Sequence, residues 1–185
     1  ANIVELSTVK AAEATKIMEN TFRDINIAFV NEMAKSFDKA GIDIMEVIEG
    51  AKTKPFGFTA HYPGTGVGGH CIPVDPYYLI EKAKQIGFDH KFLSLARKIN
   101  ESMPDYTIEL LEKNIKKFNL SIKNAKVGVL GLAYKANVDD TRESPASKVI
   151  DILKEKKAEV FVFDPYVKKG SNVRGLDELL NKCDY

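Results

Sequence analysis

A glycine-rich loop followed by a cysteine is the part of this 185-residue chain best suited to chemistry. Four glycines occur within residues 64–69, Cys71 lies two positions further on, and Asp75-Pro76 indicates a helix start with Asp75 as its cap. Glycines let a backbone approach a ligand closely, and the positive end of a helix favours a thiolate. The pattern predicts a nucleophilic cysteine in a loop that binds a sugar or a phosphate.

Other interpretations of the loop remain open on residue types alone. A flexible loop with an inert, buried cysteine agrees with the composition equally well. His61, His70 and Cys71 could bind a metal, although their spacing matches no standard zinc pattern. A thiol hydrolase would use the adjacent His70 as its base, but no third group to orient that histidine is evident.

One long helix, predicted over residues 8–40 and ended by Gly41, precedes the loop. Its polar side includes Lys16, Asn20 and Arg23, so a cation and an amide lie one turn apart on one face. The nearly opposite side is apolar and is expected to pack against other protein; it consists of Ala14, Met18, Phe22, Ile25, Phe29, Met33 and Ala40.

The remaining elements predict two domains. Helices are expected over residues 43–50, 75–87 and 89–118, the last kinked or divided at Pro104. After residue 119 the pattern becomes strand 126–131, helix 144–156, strand 159–163 and helix 176–181, which is typical of a parallel α/β unit. The expected fold is mixed α and α/β: an all-α central domain over 1–119, then a truncated Rossmann-like parallel α/β unit over 120–185.

Composition narrows the class of protein. Charge is balanced, with 27 basic and 26 acidic residues, which argues against a general nucleic-acid or membrane-surface partner. No apolar run approaches the roughly 20 residues that a membrane span requires. Two cysteines far apart in sequence favour reduced thiols and a cytoplasmic location. The first residue is Ala1, and a strand is predicted to start at the last residues, 183–185, so a fragment of a longer protein is expected.

Four segments together resemble the UDP-glucose/GDP-mannose dehydrogenase family. Residues 68–79 (GGHCIPVDPYYL) are similar to its active-site segment, and residues 12–23 (AEATKIMENTFR) to its central helix. Residues 131–135 (GLAYK) and 139–145 (DDTRESP) are similar to the start of its C-terminal domain. The matches occur in the family's order, which makes the resemblance more specific than a single glycine motif.

The resemblance implies an NAD-dependent oxidation of the C6 alcohol of a nucleotide sugar to a carboxylate. Cys71 would attack the C6 aldehyde to give a thiohemiacetal, then a thioester that water cleaves. Lys16 and Asn20 would stabilise the oxyanion, and Asp75 would position the hydrolytic water.

Further residues receive roles from the same resemblance. The substrate would contact Arg23, Gly64, Gly66, Gly68, Gly69, His70, Tyr134 and Lys135. Arg142 would contact NAD, unless it only pairs with Asp139 or Asp140. Residues 128–131 (GVLG) lack the dinucleotide glycine spacing, so this unit is expected to serve the UDP end. The long helix would form a homodimer.

The branch of the family is expected to act on UDP-N-acetylhexosamines, within polysaccharide biosynthesis. His70 and Val74 replace the serine and lysine of UDP-glucose and GDP-mannose enzymes, and Thr21–Arg23 is similar to the N-acetylhexosamine branch. Residues 54–58 (KPFGF) favour UDP-N-acetylglucosamine, with the mannosamine and galactosamine sugars as alternatives. Without the NAD-binding domain, this chain alone is expected to be inactive. The alternative functions are a non-catalytic dimerisation fragment and a UDP-glucose 6-dehydrogenase.

Overall fold

The computed structural model describes residues 3–185, which form seven helices and two strands. In chain order these are α1 (Val9–Ala40), α2 (Ile44–Lys52), α3 (Asp75–Gln85), α4 (Lys91–Glu101), α5 (Met103–Lys116), β1 (Lys126–Leu130), α6 (Pro145–Glu155), β2 (Glu159–Phe163) and α7 (Leu176–Lys182). Every helix and strand predicted between residues 8 and 181 is present, and the expected division near Pro104 separates α4 from α5. The strand expected to start at the last residues is not formed, since residues 183–185 belong to no strand.

Local signals in the sequence explain how the first helices begin and end. The Thr8 side chain caps α1 by accepting a hydrogen bond from the Ala11 amide at 3.1 Å. Gly41 ends α1 in the left-handed region, with φ at 71°, where a residue without a Cβ is favoured. Asp43 caps α2 by accepting from the Met45 amide at 2.8 Å. The length and ends of α1 therefore follow from local chemistry.

The chain divides into two compact units. The first contains the residues up to Pro63 together with Cys71–Asn100, and the second contains Gly64–His70 together with Glu101–Tyr185. The division differs from the boundary expected at residue 119, because α5 belongs to the second unit. There Ile108 and Ile115 of α5 share one apolar cluster with α6. Packing therefore groups α5 with the sheet, although its sequence pattern continues that of α4.

In the first unit, α1 packs against α2 and α3. The polar side of α1 faces inward: Asn20, Thr21, Asp24 and Asn31 are all buried. The apolar side faces outward, with Met18 exposed to 74%, Phe22 to 57% and Phe29 to 53%. Buried aliphatic side chains complete this unit, namely Ala28, Val30, Ile48, Ile80, Ala83, Leu93 and Ala96.

The second unit contains a parallel pair of strands. β1 and β2 run in register, with Val127 opposite Val160 and Val129 opposite Val162, as the strand–helix–strand pattern predicts. On the other side of β1, the Gly128 amide donates to the Tyr185 carbonyl at 2.7 Å. β1 is therefore hydrogen-bonded on both sides, and the main apolar cluster around it consists of Ile108, Ile115, Ile122, Ala125, Val127, Val149 and Leu153.

Candidate active site

Lys16 and Asn20 lie one turn apart on one side of α1, as the sequence predicts. Lys16 Nζ donates to Asn20 Oδ1 at 3.4 Å and forms an ion pair with Glu19 at 3.2 Å. The Lys16 side chain is largely exposed, whereas Asn20 is 6% exposed. An exposed cation therefore lies beside a buried amide, an arrangement suited to stabilising negative charge on oxygen.

The segment from Cys71 to Asp75 is a helical turn that leads into α3. The Cys71 carbonyl accepts from the Val74 amide at 3.1 Å and from the Asp75 amide at 2.8 Å. Asp75 was expected to cap the helix, and this prediction is wrong. Val74 occupies the cap position without a side-chain bond, and Asp75 is the first helical residue, followed by Pro76.

The Asp75 carboxylate instead bonds to α1. Asn20 Nδ2 donates to Asp75 Oδ2 at 2.5 Å, over a sequence separation of 55 residues. The expected helix-capping bond is absent because the carboxylate points to the amide of another helix. This bond and the bond from Lys16 bring together three of the four predicted catalytic side chains.

Cys71, the fourth predicted catalytic residue, belongs to the same unit through its backbone bonds to α3. Both cysteines are free, and Cys71 is exposed while Cys183 is half-buried. Burial, with a further contribution from the adjacent Asp184 carboxylate, raises the pKa of the Cys183 thiol. Exposure therefore distinguishes the thiol that can react with a ligand from the one that packs inside the α/β unit.

A buried polar network lies one turn along α1 from Asn20, and residue types alone did not reveal it. Asp24 Oδ1 accepts from Arg97 Nη1 at 2.6 Å and from Asn100 Nδ2 at 2.8 Å. Asn31 Nδ2 donates to Asn100 Oδ1 at 2.9 Å. These four residues are at most 4% exposed. The sequence feature that could have predicted this network is the spacing of Asp24, which lies four positions after Asn20. That spacing places a third polar group on the same face of α1.

In the second unit, two loop glycines pack tightly against a tyrosine. The Gly69 amide donates to the Arg142 carbonyl at 3.0 Å. A Cβ on Gly69, whose φ is 90°, would lie 2.8 Å from the Tyr134 ring. A Cβ on Gly68 would lie 2.7 Å from the Glu143 carbonyl oxygen and 2.8 Å from Tyr134 Cβ. Packing within the protein therefore requires glycine at both positions, independently of any ligand.

The other predicted binding residues lie at the surface of their units. His70 and Gly64 are exposed, and Gly66 is half-exposed. Lys135 Nζ lies 5.4 Å from the centre of the Tyr134 ring. Arg23 is exposed on α1. The predicted binding set is thus divided, with Arg23 in the first unit and the loop glycines, His70 and Lys135 in the second.

Arg142 is engaged in the ion pair that the sequence left open. Its guanidinium donates to both carboxylate oxygens of Asp140, the shortest distance being 2.6 Å. These hydrogen bonds lower the pKa of Asp140 to about 2. The Arg142 side chain remains 66% exposed, so a ligand can still reach it.

Two further observations concern ligands and membranes. Within residues 3–185, no group of three or more His, Cys, Asp or Glu side chains is arranged so that it could hold a metal ion. Over the same described part of the chain, every helix is too short or too polar to cross a bilayer.

Known proteins match both parts of the chain. Residues 10–102 match the UDP-glucose/GDP-mannose dehydrogenase family, central domain. Residues 128–184 match the UDP binding domain of the same family.

Individual relatives agree with these matches. A UDP-N-acetyl-D-mannosamine dehydrogenase of Pyrococcus horikoshii is 46% identical over 97% of this chain and 43% of its own length. A UDP-N-acetyl-D-glucosamine 6-dehydrogenase of Pseudomonas aeruginosa is 42% identical over 87% of this chain and 38% of its own length. The solved structure of a UDP-D-ManNAc dehydrogenase from Pyrococcus horikoshii has a TM-score of 0.87 at 43% identity, covering 94% of this chain and 40% of that one. This chain spans less than half of each relative, and it belongs to the UDP-glucose/GDP-mannose dehydrogenase family.

Proposed function

We propose that this chain is the catalytic central part, and the beginning of the UDP-binding part, of an NAD-dependent UDP-N-acetylhexosamine 6-dehydrogenase. The observation that supports it best is the 2.5 Å hydrogen bond from Asn20 to Asp75. This bond connects the Lys16–Asn20 face of α1 to the helical turn that begins at Cys71. The cation and the amide lie on α1, the carboxylate lies on α3, and the thiol lies in the turn that leads into α3. These are the groups that oxidation through a thioester requires.

The chemistry of these residues follows their order around the site. Cys71 Sγ bonds to the C6 aldehyde carbon, and Lys16 and Asn20 donate hydrogen bonds to the oxygen that becomes negative. Loss of a hydride from that carbon leaves a thioester. Asp75 then positions a water and takes its proton as the C–S bond breaks, which releases the uronate and restores the Cys71 thiolate.

The sugar nucleotide is proposed to bind along Gly64–Gly69 and against Tyr134 and Lys135. Gly64 is exposed at the start of this loop, and the Lys135 ammonium near the Tyr134 ring suits a diphosphate. Arg23 and His70 are exposed and available for the sugar. The relatives' names include both mannosamine and glucosamine enzymes at 42–46% identity, so the preference for glucosamine from residues 54–58 remains a prediction.

Arg142 is the one residue of this chain that we propose to contact NAD, and it does not make a complete cofactor site by itself. Gly128–Gly131 lacks the glycine spacing of a dinucleotide fingerprint. The Arg142 side chain is 66% exposed and can exchange its half-buried Asp140 partner for an anionic cofactor group. When bound, two NAD in turn would accept the two hydrides that C6 loses, one as the alcohol becomes the aldehyde and one as the thiohemiacetal becomes the thioester. We therefore place most of the cofactor site outside these residues and expect the chain alone to be inactive.

A homodimer through α1 completes the proposal. Met18, Phe22 and Phe29 are more than half exposed on the side of α1 that faces away from its own unit. Apolar side chains in a continuous stripe are unusual on a solvent-facing helix and indicate a protein contact. Sedimentation showing only monomer at micromolar concentration would contradict this part of the proposal.

The deciding experiment is an assay of the full-length enzyme that contains this chain, following NADH with a panel of UDP-sugars. We expect two NADH for each uronate from an N-acetylhexosamine. Strong preference for UDP-glucose would overturn the substrate proposal.

Replacement of Cys71 by serine should slow acyl transfer to water by several orders of magnitude, by analogy with other lost nucleophiles. Near-normal uronate production by that variant would exclude the covalent route.

A further inference from the structure

We propose that the buried pair Asp24–Arg97 positions the site, by fixing the first turn of α3 and with it Asp75 and Cys71. This inference rests on the proposed function for its kinetic consequence, but its geometry does not depend on that function. Arg97 Nη1 is 2.6 Å from Asp24 Oδ1, and the two side chains are 5% and 1% exposed. The hydrogen bonds described above join these two residues to each other and to Asn100, so in this proposal both act through others.

A closed path of contacts connects this pair to the site. Along α1, Asp24 lies one turn beyond Asn20, on the same inward side. From Asp24 the path passes through Arg97, whose guanidinium carbon lies 5.7 Å from the centre of the Tyr77 ring. Tyr77 is in the first turn of α3, two residues after Asp75. The path returns to α1 through the bond from Asn20 to Asp75.

The path restrains α3 at two points in its first turn. Asn20 binds the Asp75 carboxylate, and the Arg97 guanidinium, itself held by Asp24, contacts the Tyr77 ring. The same turn contains the amides of Val74 and Asp75, which bond to the Cys71 carbonyl. Movement of this turn would therefore displace the carboxylate and the thiol together.

The chemistry of the pair favours a positioning role over a stabilising one. A buried ion pair usually adds little net stability compared with apolar side chains of similar volume, because both ions lose their hydration. Its hydrogen bonds have strict geometry, however, and they define how α1 and α4 meet. A need of the reaction for one fixed arrangement of α1, α3 and α4 would explain why an ion pair, rather than apolar side chains, is buried here.

Asn31 provides the matched control for the test. It belongs to the same buried network through its bond to Asn100 at 2.9 Å, and it is fully buried. It lies three turns along α1 from Asn20, away from the contacts with α3's first turn. Asn31→Ala should lower stability as other losses from the network do, without changing the chemistry at Asp75.

The kinetic test compares Arg97→Lys, Tyr77→Leu, Tyr77→Phe and Asn31→Ala in the full-length enzyme. Rapid mixing gives the NADH burst, which counts active sites, and the later steady rate. For Arg97→Lys and Tyr77→Leu we expect the steady rate per active site to fall roughly ten- to a hundredfold, since a misplaced Asp75 positions water poorly. KM for the UDP-sugar should fall in the same proportion, so that kcat/KM stays nearly the same, because the slowed step follows the acyl stage. The acyl adduct on Cys71 should accumulate in mass spectra.

Tyr77→Phe keeps the ring, so its steady rate per active site should be close to that of the unaltered enzyme. Asn31→Ala should lower only the burst amplitude. Equal loss of burst and steady rate in Arg97→Lys and Tyr77→Leu would overturn the inference, because simple loss of folded enzyme produces that result.

A second measurement separates this inference from the proposed function. Alkylation of Cys71 by iodoacetamide at neutral pH, located by mass spectrometry in the 185-residue chain, requires no substrate. Tyr77→Leu should slow it about threefold relative to Tyr77→Phe, because the helical turn behind Cys71 loosens. Equal rates in these two variants would overturn the inference even if the enzyme oxidises a UDP-sugar. Slower labelling would support it even if no UDP-sugar is oxidised.

Discussion

The two compact units of this chain are built on different kinds of core. In the first, the inward side of α1 presents Asn20, Asp24 and Asn31, and a buried ion pair joins α1 to α4. The second has an aliphatic cluster around a parallel pair of strands, with Leu153 at 1% exposure. Polar contacts have strict geometry, whereas aliphatic contacts are non-directional. The first unit is therefore suited to holding reacting groups at defined distances, and the second to giving a stable support.

Breaking the ion pair should have the largest effect. Arg97→Met leaves the Asp24 carboxylate buried without its cation, and we expect a loss of about 4 kcal/mol in the free energy of unfolding of the first unit. The double variant Asp24→Leu/Arg97→Met should recover most of that loss. Hydrogen exchange of the α1 amides, resolved by mass spectrometry, measures both. A double variant no more stable than Arg97→Met would show that the two residues do not act as a pair.

An aliphatic truncation in the second unit is the matching test. Leu153→Ala removes a side chain that is 1% exposed in the main apolar cluster, and we expect a loss of about 3 kcal/mol. Amides of β1 and β2 should lose protection from exchange, while those of α1 keep theirs. Equal loss of protection in α1 would mean that the two units unfold together rather than separately.

Acid should weaken the second unit through one carboxylate. Burial would by itself raise the pKa of Asp164, but hydrogen bonds from the amides of Ala133, Leu132, Val167 and Tyr166 outweigh it and lower the pKa to about 2. The ionised form thus stabilises the fold, so its contribution of about 2 kcal/mol is complete above about pH 4 and is lost as pH falls towards 2.

Asp164→Asn should remove this pH dependence from the unfolding free energy of the second unit. Asp140 is the matched control, because its pKa is also lowered to about 2, by hydrogen bonds from Arg142 at the surface. Solvent screens that pair, so Asp140→Asn should change acid stability less. The assignment fails if Asp140→Asn has the larger effect on denaturant unfolding between pH 4 and 2.

The smallest expected effect is a difference in alkylation rate between the two thiols, one in each unit. Cys71 is exposed, whereas burial raises the pKa of Cys183 inside the second unit. We expect Cys71 to label at least about tenfold faster with iodoacetamide at pH 7, measured by peptide mass spectrometry. Comparable rates would argue against Cys71 as the nucleophile, provided that α/β amides remain protected from exchange in the same sample.

Much of the fold was determined by the sequence alone. Thr8 and Gly41 mark the ends of α1, Asp43 begins α2, and the strand–helix–strand pattern after residue 119 predicts the parallel pair. These features depend on neighbours within a few residues, so local chemistry is sufficient to place them. The family also followed from short motifs in a fixed order, and the matches of residues 10–102 and 128–184 confirm it.

Long-range packing decided what residue patterns could not. Asp75 has the sequence context of a helix cap, but its carboxylate bonds to Asn20, 55 residues away. The helical pattern of α5 continues that of α4, yet its isoleucines pack against α6. The sequence predicts that α1 has a polar side and an apolar side. Only the tertiary structure shows that Asp24 on the polar side binds Arg97, which is 73 residues away in the chain. A buried polar pair needs a partner that no local pattern specifies, and only the folded chain supplies it.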